Sequence, residues 1–269
     1  PFFLQLFLAF AAASIAWSAY PDASALGVSL TLATTAMDAI LATCLSREEV
    51  LETFSDTMRW VLGLSLLFEF VVAAFVRRPV LPLWVDYSDH EKIPAAFYWS
   101  RNLLFAGGRF QGIVGNANIL GMLALLALIV FVLRLVARKG SPVWAWFWIV
   151  IAVATLALTR SSTVVVAGVA AVLVAAFLWV VRRTSGTTRL VVFASGTLVG
   201  IAAVVAAIVA RGPLLALLGK SPDLTNRLEI WEKVGALAAE RPVAGWGWVS
   251  YWVPWVHPFD DLVVIKGVT

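Results

Sequence analysis

Arginine is the residue type whose chemistry stands out in this sequence, because several arginines lie between long apolar runs. A guanidinium group stays ionised at every relevant pH and donates paired N–H groups to phosphate oxygens. Several of them converging at a membrane surface would suit a lipid-linked diphosphate. For each one, the alternative is contact with lipid head groups or an ion pair with a nearby carboxylate. The candidates are Arg101, Arg109, Arg160, Arg211 and Arg227.

Other kinds of reactive site lack their sequence patterns. The two histidines, His90 and His257, are far apart, and the only cysteine, Cys44, lies in an apolar run, so no metal-ligand cluster is visible. The sequence has no phosphate loop, no dinucleotide-binding fingerprint and no serine-nucleophile elbow. We therefore expect no metal ion and no cofactor.

The elements that must position these arginines are membrane spans. The chain is 61% hydrophobic and 13% charged with a mean hydropathy of +0.91, whereas soluble domains carry roughly 25% charged residues. Lipid must therefore cover much of the surface. The net charge of +4 comes from Arg and Lys that lie between apolar runs rather than in a stripe. This placement indicates topology signals and not nucleic-acid binding.

Apolar runs about 20 residues long match the thickness of a bilayer. Because the runs are continuous rather than alternating, they predict helices and not barrel strands. The sequence therefore predicts an all-α fold, a polytopic transmembrane helix bundle. The seven candidate spans are Phe2–Tyr20, Ala25–Leu45, Trp60–Val76, Ile113–Leu133, Val143–Thr159, Thr163–Val181 and Leu190–Ala210.

The positive-inside rule orients the predicted bundle in its membrane. The connections at residues 134–139 and 182–189 carry six Arg and Lys side chains, while the turn between them carries only Arg160. We therefore place the first two connections in the cytoplasm. Arg77 and Arg78 count against this orientation, but they open a long segment, where the rule is weak. This orientation makes 79–112 and 211–269 extracytoplasmic segments and puts the candidate arginines on the outer face.

Two charged segments are predicted to lie at the membrane surface. Ser46–Thr57 (SREEVLETFSDT) is a helix-prone connection at the cytoplasmic interface, with Ser46 as a plausible N-cap. Asp223–Glu240 has the spacing of an extracytoplasmic amphipathic helix. The chain has no internal repeat or flexible linker, so 1–269 is interpreted as a single membrane domain. Because it starts at Pro1 without a methionine, we expect it to be part of a longer polypeptide.

Two acids lie inside the apolar runs, Asp38 and Glu69. An ionisable group at this depth is costly unless it is paired or hydrated. Either a proton or ion pathway or a structural pair with an arginine would account for them. The aromatic stretch Trp246–Trp255 suits either stacking on sugar rings or an interfacial belt. Both pairs of alternatives stay open at this stage.

Three stretches form a specific combination of motifs. Arg109–Asn118 (RFQGIVGNAN) leads into an apolar run, Leu158–Ser162 (LTRSS) forms a turn, and Asp223–Trp231 (DLTNRLEIW) is followed by Arg241–Gly247 (RPVAGWG). In order and spacing they resemble the R-x-x-G-x-x-x-N-P-N, S-x-S-R and D-x-S-x-R-x-x-x-W … P-x-x-G-x-G motifs of one superfamily. That superfamily comprises the O-antigen ligases and the Wzy-type O-antigen polymerases, which are GT-C-like membrane glycosyltransferases.

The resemblance implies a metal-independent transfer of a glycan from undecaprenyl diphosphate to a lipid or glycan acceptor, by a multi-pass protein of the bacterial inner membrane. Arginines would bind the diphosphate and stabilise its departure. The acceptor hydroxyl would attack the anomeric carbon with inversion, helped by a general base. The implied catalytic residues are Arg109, Arg227 and His257. The implied substrate-binding residues are Arg160, Arg211, Arg101, Asn116, Asn118, Asp223 and Trp231.

The sequence departs from the family pattern at three places. Ala117 stands where the family has proline, and Arg160 precedes the serine pair that the family's arginine follows. The family's H-x-H-N motif is not recognisable before Thr269. We therefore expect the general base to be His257 or a residue beyond Thr269.

Two other hypotheses are carried alongside the transferase. A polytopic transporter or flippase would use the intramembrane acids Asp38 and Glu69. A scaffold for envelope assembly would need none of the outer arginines beyond their contribution to stability. Uptake into proteoliposomes that is lost with Glu69→Gln, without any glycan product, would favour the transporter.

Overall fold

The computed structural model describes residues 2–83, 93, 95, 97–210, 212–213 and 227–248. This part of the chain is mainly helical, and its only β-pairing is an isolated antiparallel bridge between Val80 and Ser100. A 3₁₀ turn, Ser14–Trp17, follows the first helix, and a π-helical turn, Val72–Val76, extends the third. The α-helices of the described part are α1 (Phe2–Ala13), α2 (Pro21–Cys44), α3 (Arg47–Val71), α4 (Ala117–Val136), α5 (Pro142–Thr159), α6 (Ser162–Arg183), α7 (Gly186–Val209) and α8 (Arg227–Glu240).

Six of the described helices, α2 to α7, are long and apolar enough to cross a membrane. At 1.5 Å per residue, helices of about 20 residues span the ~30 Å hydrocarbon layer. Many of their large apolar side chains are exposed, as the outer surface of a bundle in lipid requires. The predicted all-α, multi-pass membrane architecture is therefore confirmed at this level.

Some predicted boundaries are wrong. The run Phe2–Tyr20 is not one span, because α1 ends at Ala13 and gives way to the 3₁₀ turn. The segment Ser46–Thr57 is not a separate connection: α3 continues from Arg47 to Val71. Between Arg47 and Gly63 the sequence contains no glycine or proline, so nothing stops the helix at the charged residues. The span predicted from Ile113 begins at Ala117.

The chain groups into two compact units, which are described separately. Unit 1 comprises Pro1–Ser46 and Ala202–Thr269, and unit 2 comprises Arg47–Ile201. This grouping of helices does not decide whether the units fold independently. The interpretation of 1–269 as one membrane domain therefore stays a prediction.

Unit 2 is built on the packing of α3, α4 and α5. Its core contains small residues, among them Ala124, Ala127 and Ala152, each fully buried. Small side chains let helix backbones approach closely, which is how helices pack where lipid replaces water. Leu62 and Phe131 fill the space around them.

The two ends of unit 2 are held together by different contacts. At the basic end, the start of α3 meets the end of α4: Arg134 pairs with Glu52 at 3.4 Å, and Lys139 pairs with Glu48 at 2.5 Å. At the opposite end, called the loop end here, the loop 97–116 lies against α3 and the α5–α6 turn. All candidate site residues of unit 2 lie at the loop end.

In unit 1, the segment Arg241–Trp248 docks on the turn between α1 and α2; we call it the tryptophan segment. The indole Nε1 of Trp17 donates to the carbonyl of Ala244 at 2.8 Å, and the backbone N–H of Trp248 donates to Ser14 Oγ at 2.9 Å. The indole of Trp248 also donates to Thr31 Oγ1 at 3.0 Å and meets Phe7 edge to face. Trp248 is therefore a packing residue within unit 1.

Helix α8, Arg227–Glu240, covers all but the first four residues of the segment predicted to be amphipathic. Leu237 is buried and its carbonyl accepts from the indole of Trp246 at 3.0 Å, while Trp231 is exposed. Contact of this helix with a membrane surface stays a prediction.

Candidate functional site

The loop end is organised around a buried carboxylate. Glu69, on the last full turn of α3, is 2% exposed and lies beneath the loop 97–116. Its Oε2 accepts from the hydroxyl of Ser100 at 2.7 Å. Its Oε1 accepts from the backbone N–H groups of Gln111 at 3.1 Å and Gly112 at 3.0 Å. Three donors from the loop therefore satisfy both oxygens of this carboxyl group.

Among the described residues, no arginine pairs with Glu69, which was one of the two alternatives for this acid. A hydroxyl and two backbone N–H groups occupy the carboxylate instead. These donors come from residues 31 to 43 positions away in the sequence, so the pairing depends on tertiary packing and not on a local pattern. Asp38, the other intramembrane acid, is exposed on α2.

A second residue of α3 supports the same loop. Ser65, one helical turn before Glu69, accepts from the backbone N–H of Ile113 at 3.3 Å. The loop approaches so closely that a Cβ built on Gly112 would lie 2.6 Å from Ser65 Oγ. Gly112 also has a φ of +61°, where residues with a side chain are strained. Only glycine fits this position.

The side chain of Gln111 braces the loop from within. It is buried, and its Nε2 donates to the carbonyl of Gly115 at 2.9 Å. Nearby, the indole of Trp99 donates to the carbonyl of Ile113 at 2.7 Å. These bonds fix the loop as it enters α4, so the residues of the first helical turn have a defined position.

Asn116 and Asn118 begin α4 with different roles. Asn116 is the N-cap: its Oδ1 accepts from the backbone N–H of Asn118 at 2.9 Å and of Ile119 at 3.3 Å. Asparagine is among the preferred N-cap residues for this reason. The Oδ1 of Asn118 instead accepts from Arg109 at 2.6 Å and from Ser161 at 2.8 Å. Asn118 thereby joins the loop to the α5–α6 turn.

Arg109 is exposed, and its guanidinium lies between α4 and the end of α5. Its Nη2 donates to Asn118, and its Nε donates to the carbonyl of Thr159 at 3.3 Å. The following residue, Phe110, donates its backbone N–H to the carbonyl of Leu158 at 3.1 Å. The arginine therefore stands at the surface on a backbone that is hydrogen-bonded to its surroundings.

Arg160 lies next to this arrangement. It is the C-cap of α5, with a left-handed φ of +48°, and it is exposed. A Cβ built on Gly107 would lie 3.5 Å from its Nη2, so the guanidinium passes close to the loop. Arg109 bonds to the carbonyl of Thr159, the residue directly before Arg160, so both arginines lie at the same turn. No carboxylate among the described residues pairs with either of them.

A cleft of about 130 Å³ opens in front of these residues. Arg101, whose Nε donates to the carbonyl of Ala95 at 2.7 Å, forms one wall. The lining contains two cations and no acid, so an anion would enter favourably. The cleft is lined by Arg101, Arg109, Gln111, Gly115, Asn116, Ala117 and Asn118.

The remaining candidate residues are not brought to this cleft in the described structure. Arg211, Asp223 and His257 lie outside the described residues, as does the side chain of Arg227. Arg227 begins α8, and Trp231 of the same helix is 62% exposed; both belong to unit 1. Their predicted roles stay predictions.

Sequence reasoning missed the residues that hold the site together. Ser161 and Gln111 were not singled out, and Asn116 was not recognised as a cap. The cap had a signal, because asparagine directly precedes an apolar helical run. For Ser161 no local signal exists, since its partner Asn118 lies on another element. The side chain of Gln111 bonds to Gly115 in its own loop, and no sequence pattern identifies that bond.

Comparisons with protein-family models, with curated proteins and with solved structures found no match to this chain. The resemblance of its three motifs to the ligase and polymerase superfamily therefore remains a prediction.

Proposed function

We propose that the chain carries the donor-binding site of a membrane glycosyltransferase, of the O-antigen ligase or polymerase type. The donor would be a glycan on undecaprenyl diphosphate, and the acceptor a hydroxyl group of a cell-envelope lipid or glycan. The observation that carries the proposal is the cationic cleft of unit 2. Arg101 and Arg109 line it, Arg160 lies beside it, and no described carboxylate neutralises them.

The chemistry needs such cations where the diphosphate leaves. The bond between the anomeric carbon and the phosphate oxygen breaks, and the departing diphosphate gains negative charge. Fixed guanidinium groups stabilise this charge, and because they are already oriented they reorganise little during the reaction. Arg109, held by Asn118 and the Thr159 carbonyl, has the required fixed orientation.

The acceptor oxygen forms the new bond to the anomeric carbon and loses its proton to a general base. His257 is the candidate for this base, and Arg227 is a candidate second diphosphate ligand. The lipid tail of the donor would lie among the spans, because the cleft opens where the apolar helices end.

The test is transfer of glycan from a polyprenyl-diphosphate donor by the full chain in lipid. We expect Arg109→Ala to lower kcat by about 10² to 10³, the range for removing one charge-stabilising donor. Arg109→Lys should restore part of the activity, because lysine keeps the charge but not the paired donors. Arg182→Ala, at an exposed arginine outside the cleft, is the matched control.

Unaltered turnover in both Arg109→Ala and Arg227→Ala would reject the proposal. The transporter hypothesis has its own test in the Glu69→Gln uptake experiment. The hydrogen bonds to Glu69 offer it no specific support, because both carboxylate oxygens already accept from the loop.

A further inference from the structure

A groove at the basic end of unit 2, far along the helices from the cleft, has an apolar wall. It encloses about 450 Å³ between the start of α3 and the end of α4. Its apolar lining comes from Leu51 on α3 and from Val130, Leu133 and Ala137 on α4. No residue of the proposed donor site contributes to it.

Charged side chains line one end of the same groove. Arg47, Arg134 and Lys139 line it together with a single acid, Glu48. Arg134 and Lys139 also line an adjoining cavity of about 160 Å³, where Arg59 adds a further cation and Glu52 a further acid. Cations therefore outnumber acids in the lining of both cavities.

Apolar and charged residues are separated along the helix axes. Arg47 and Glu48 open α3, and Leu51 follows one turn deeper. On α4, Val130 precedes Arg134 by four residues, which places it about 6 Å deeper at 1.5 Å per residue. Apart from Ala137, which lies beyond Arg134, the apolar residues of the groove thus lie toward the middle of the span and its charged residues toward the helix ends. A membrane phospholipid has the same order, with a head group outside and acyl chains inside.

We propose that this groove binds an anionic phospholipid of the membrane, with its head-group phosphate at Arg134 and Lys139. The ion pairs of these two cations do not prevent this. Lys139 and Glu48 are 52% and 65% exposed, and such exposed ion pairs contribute little to stability. Arg134 is 17% exposed, but its partner Glu52 is 59% exposed and can turn away from it. A phosphate therefore joins or replaces the carboxylates at modest cost. Basic pockets between spans are suited to anionic head groups.

The charge and the apolar wall together select this ligand. A soluble anion gains nothing from Leu51, Val130 and Leu133, because it has no apolar part to bury. A zwitterionic lipid fills the apolar wall equally well but has no net charge for the cations. Preference for an anionic over a zwitterionic lipid with the same acyl chains is therefore the diagnostic property.

The experiment is native mass spectrometry of the purified full chain, exchanged into equal amounts of phosphatidylglycerol and phosphatidylcholine with matched acyl chains. We expect phosphatidylglycerol adducts to dominate. The double variant Arg134→Gln, Lys139→Gln should lower the ratio of phosphatidylglycerol to phosphatidylcholine adducts by about fivefold or more, from the usual gain per cation near anionic lipid. Arg182→Gln removes an exposed cation outside the groove and should leave the ratio unchanged.

A variant with the opposite expected sign separates charge attraction from loss of fold. Glu48→Gln removes the acid that neutralises Lys139, so the ratio should rise by about twofold to fivefold. Unfolding cannot raise it. Equal retention of the two lipids by the unaltered chain, an unchanged ratio in Glu48→Gln, or an equal fall in Arg182→Gln would overturn the proposal.

Discussion

Glu69 places a carboxylate inside an apolar helix, which costs desolvation free energy, and the same carboxylate holds the loop 97–116 through hydrogen bonds. The desolvation of such a group is offset only when its oxygens have hydrogen-bond donors. Here the donors are Ser100, Gln111 and Gly112, which belong to the segment that leads to Arg109 and Asn118. The carboxylate thus acts on the candidate site through the backbone and not by touching a substrate.

Replacing Glu69 tests this role. Glu69→Ala leaves three buried donors without a partner and should lower the free energy of unfolding by about 3–5 kcal/mol. Glu69→Gln keeps one oxygen for the two backbone N–H groups, and the Ser100 hydroxyl can rotate to accept from the new amide. Its loss should be about 1–2 kcal/mol.

Denaturant titration in detergent measures both changes. The matched control is Asp38→Ala, which removes the exposed acid of α2 and should cost no stability. Equal losses for Glu69→Ala and Asp38→Ala would contradict the role given to Glu69.

At the scale of elements, the tryptophan segment shows how a short irregular stretch is fixed to a helical turn. The hydroxyl of Ser18 donates to the carbonyl of Trp246 at 3.2 Å and lies 2.7 Å from Ser24 Oγ. Gly247 packs directly against these serines with a φ of +99°. The two glycines of this segment, Gly245 and Gly247, thus offer a controlled comparison, because both have positive φ but only one is crowded.

Gly247→Ala should release the tryptophan segment. Its Cβ would lie 2.5 Å from Ser18 Oγ, whereas a Cβ on Gly245 has nothing within 4 Å. Gly245→Ala then carries only backbone strain, and Gly247→Ala adds a steric clash of about 1–3 kcal/mol. Limited chymotryptic cleavage at Trp246 and Trp248 should become about tenfold faster in Gly247→Ala than in Gly245→Ala. Equal rates would show that the segment is not held at Gly247.

The elements themselves could be predicted from the sequence where hydropathy alone decides. Apolar runs located α4, α5, α6 and α7 to within a few residues, because a span must satisfy its backbone groups within itself. The start of α3 was not predicted as part of a span, since its charged residues resemble a connection. Its continuity depends on helix propensity without a breaker, a weaker signal than hydropathy.

The site was predictable only in part, because a local sequence pattern does not specify contacts between distant residues. The motif Arg109–Asn118 identified residues that the structure brings to one cleft, and Arg160 lies beside it. The bonds that orient them involve Glu69, Ser161 and Thr159, which are distant in sequence. Such contacts follow from how helices pack, and no local spacing encodes them.

For the molecule as a whole, the distribution of charge sets an expectation about its orientation. In unit 2 the basic end and the loop end lie at opposite ends of the same helices. Because cytoplasmic loops carry the excess of Lys and Arg, the basic end should face the cytoplasm. The candidate arginines of the cleft would then face outward, as the proposed transfer at the cell envelope requires.

Labelling of single cysteines tests this orientation. Cys44→Ala removes the only natural cysteine, and Ala106→Cys or Ser141→Cys then adds one at the exposed loop end or basic end. We expect a membrane-impermeant maleimide to label Ala106→Cys in intact cells and Ser141→Cys only after permeabilisation. Labelling of both positions from the same side would contradict the proposed topology.

The bonds from Glu69 also have a consequence for the timescale on which the loop opens. Backbone N–H groups in loops ordinarily exchange their protons with solvent quickly, yet those of Gln111 and Gly112 are held by a buried acceptor. In deuterium exchange they should persist as long as the N–H groups of α4 and lose that protection in Glu69→Ala. Exchange at these two positions would therefore report how often the loop bearing Arg109 detaches from α3.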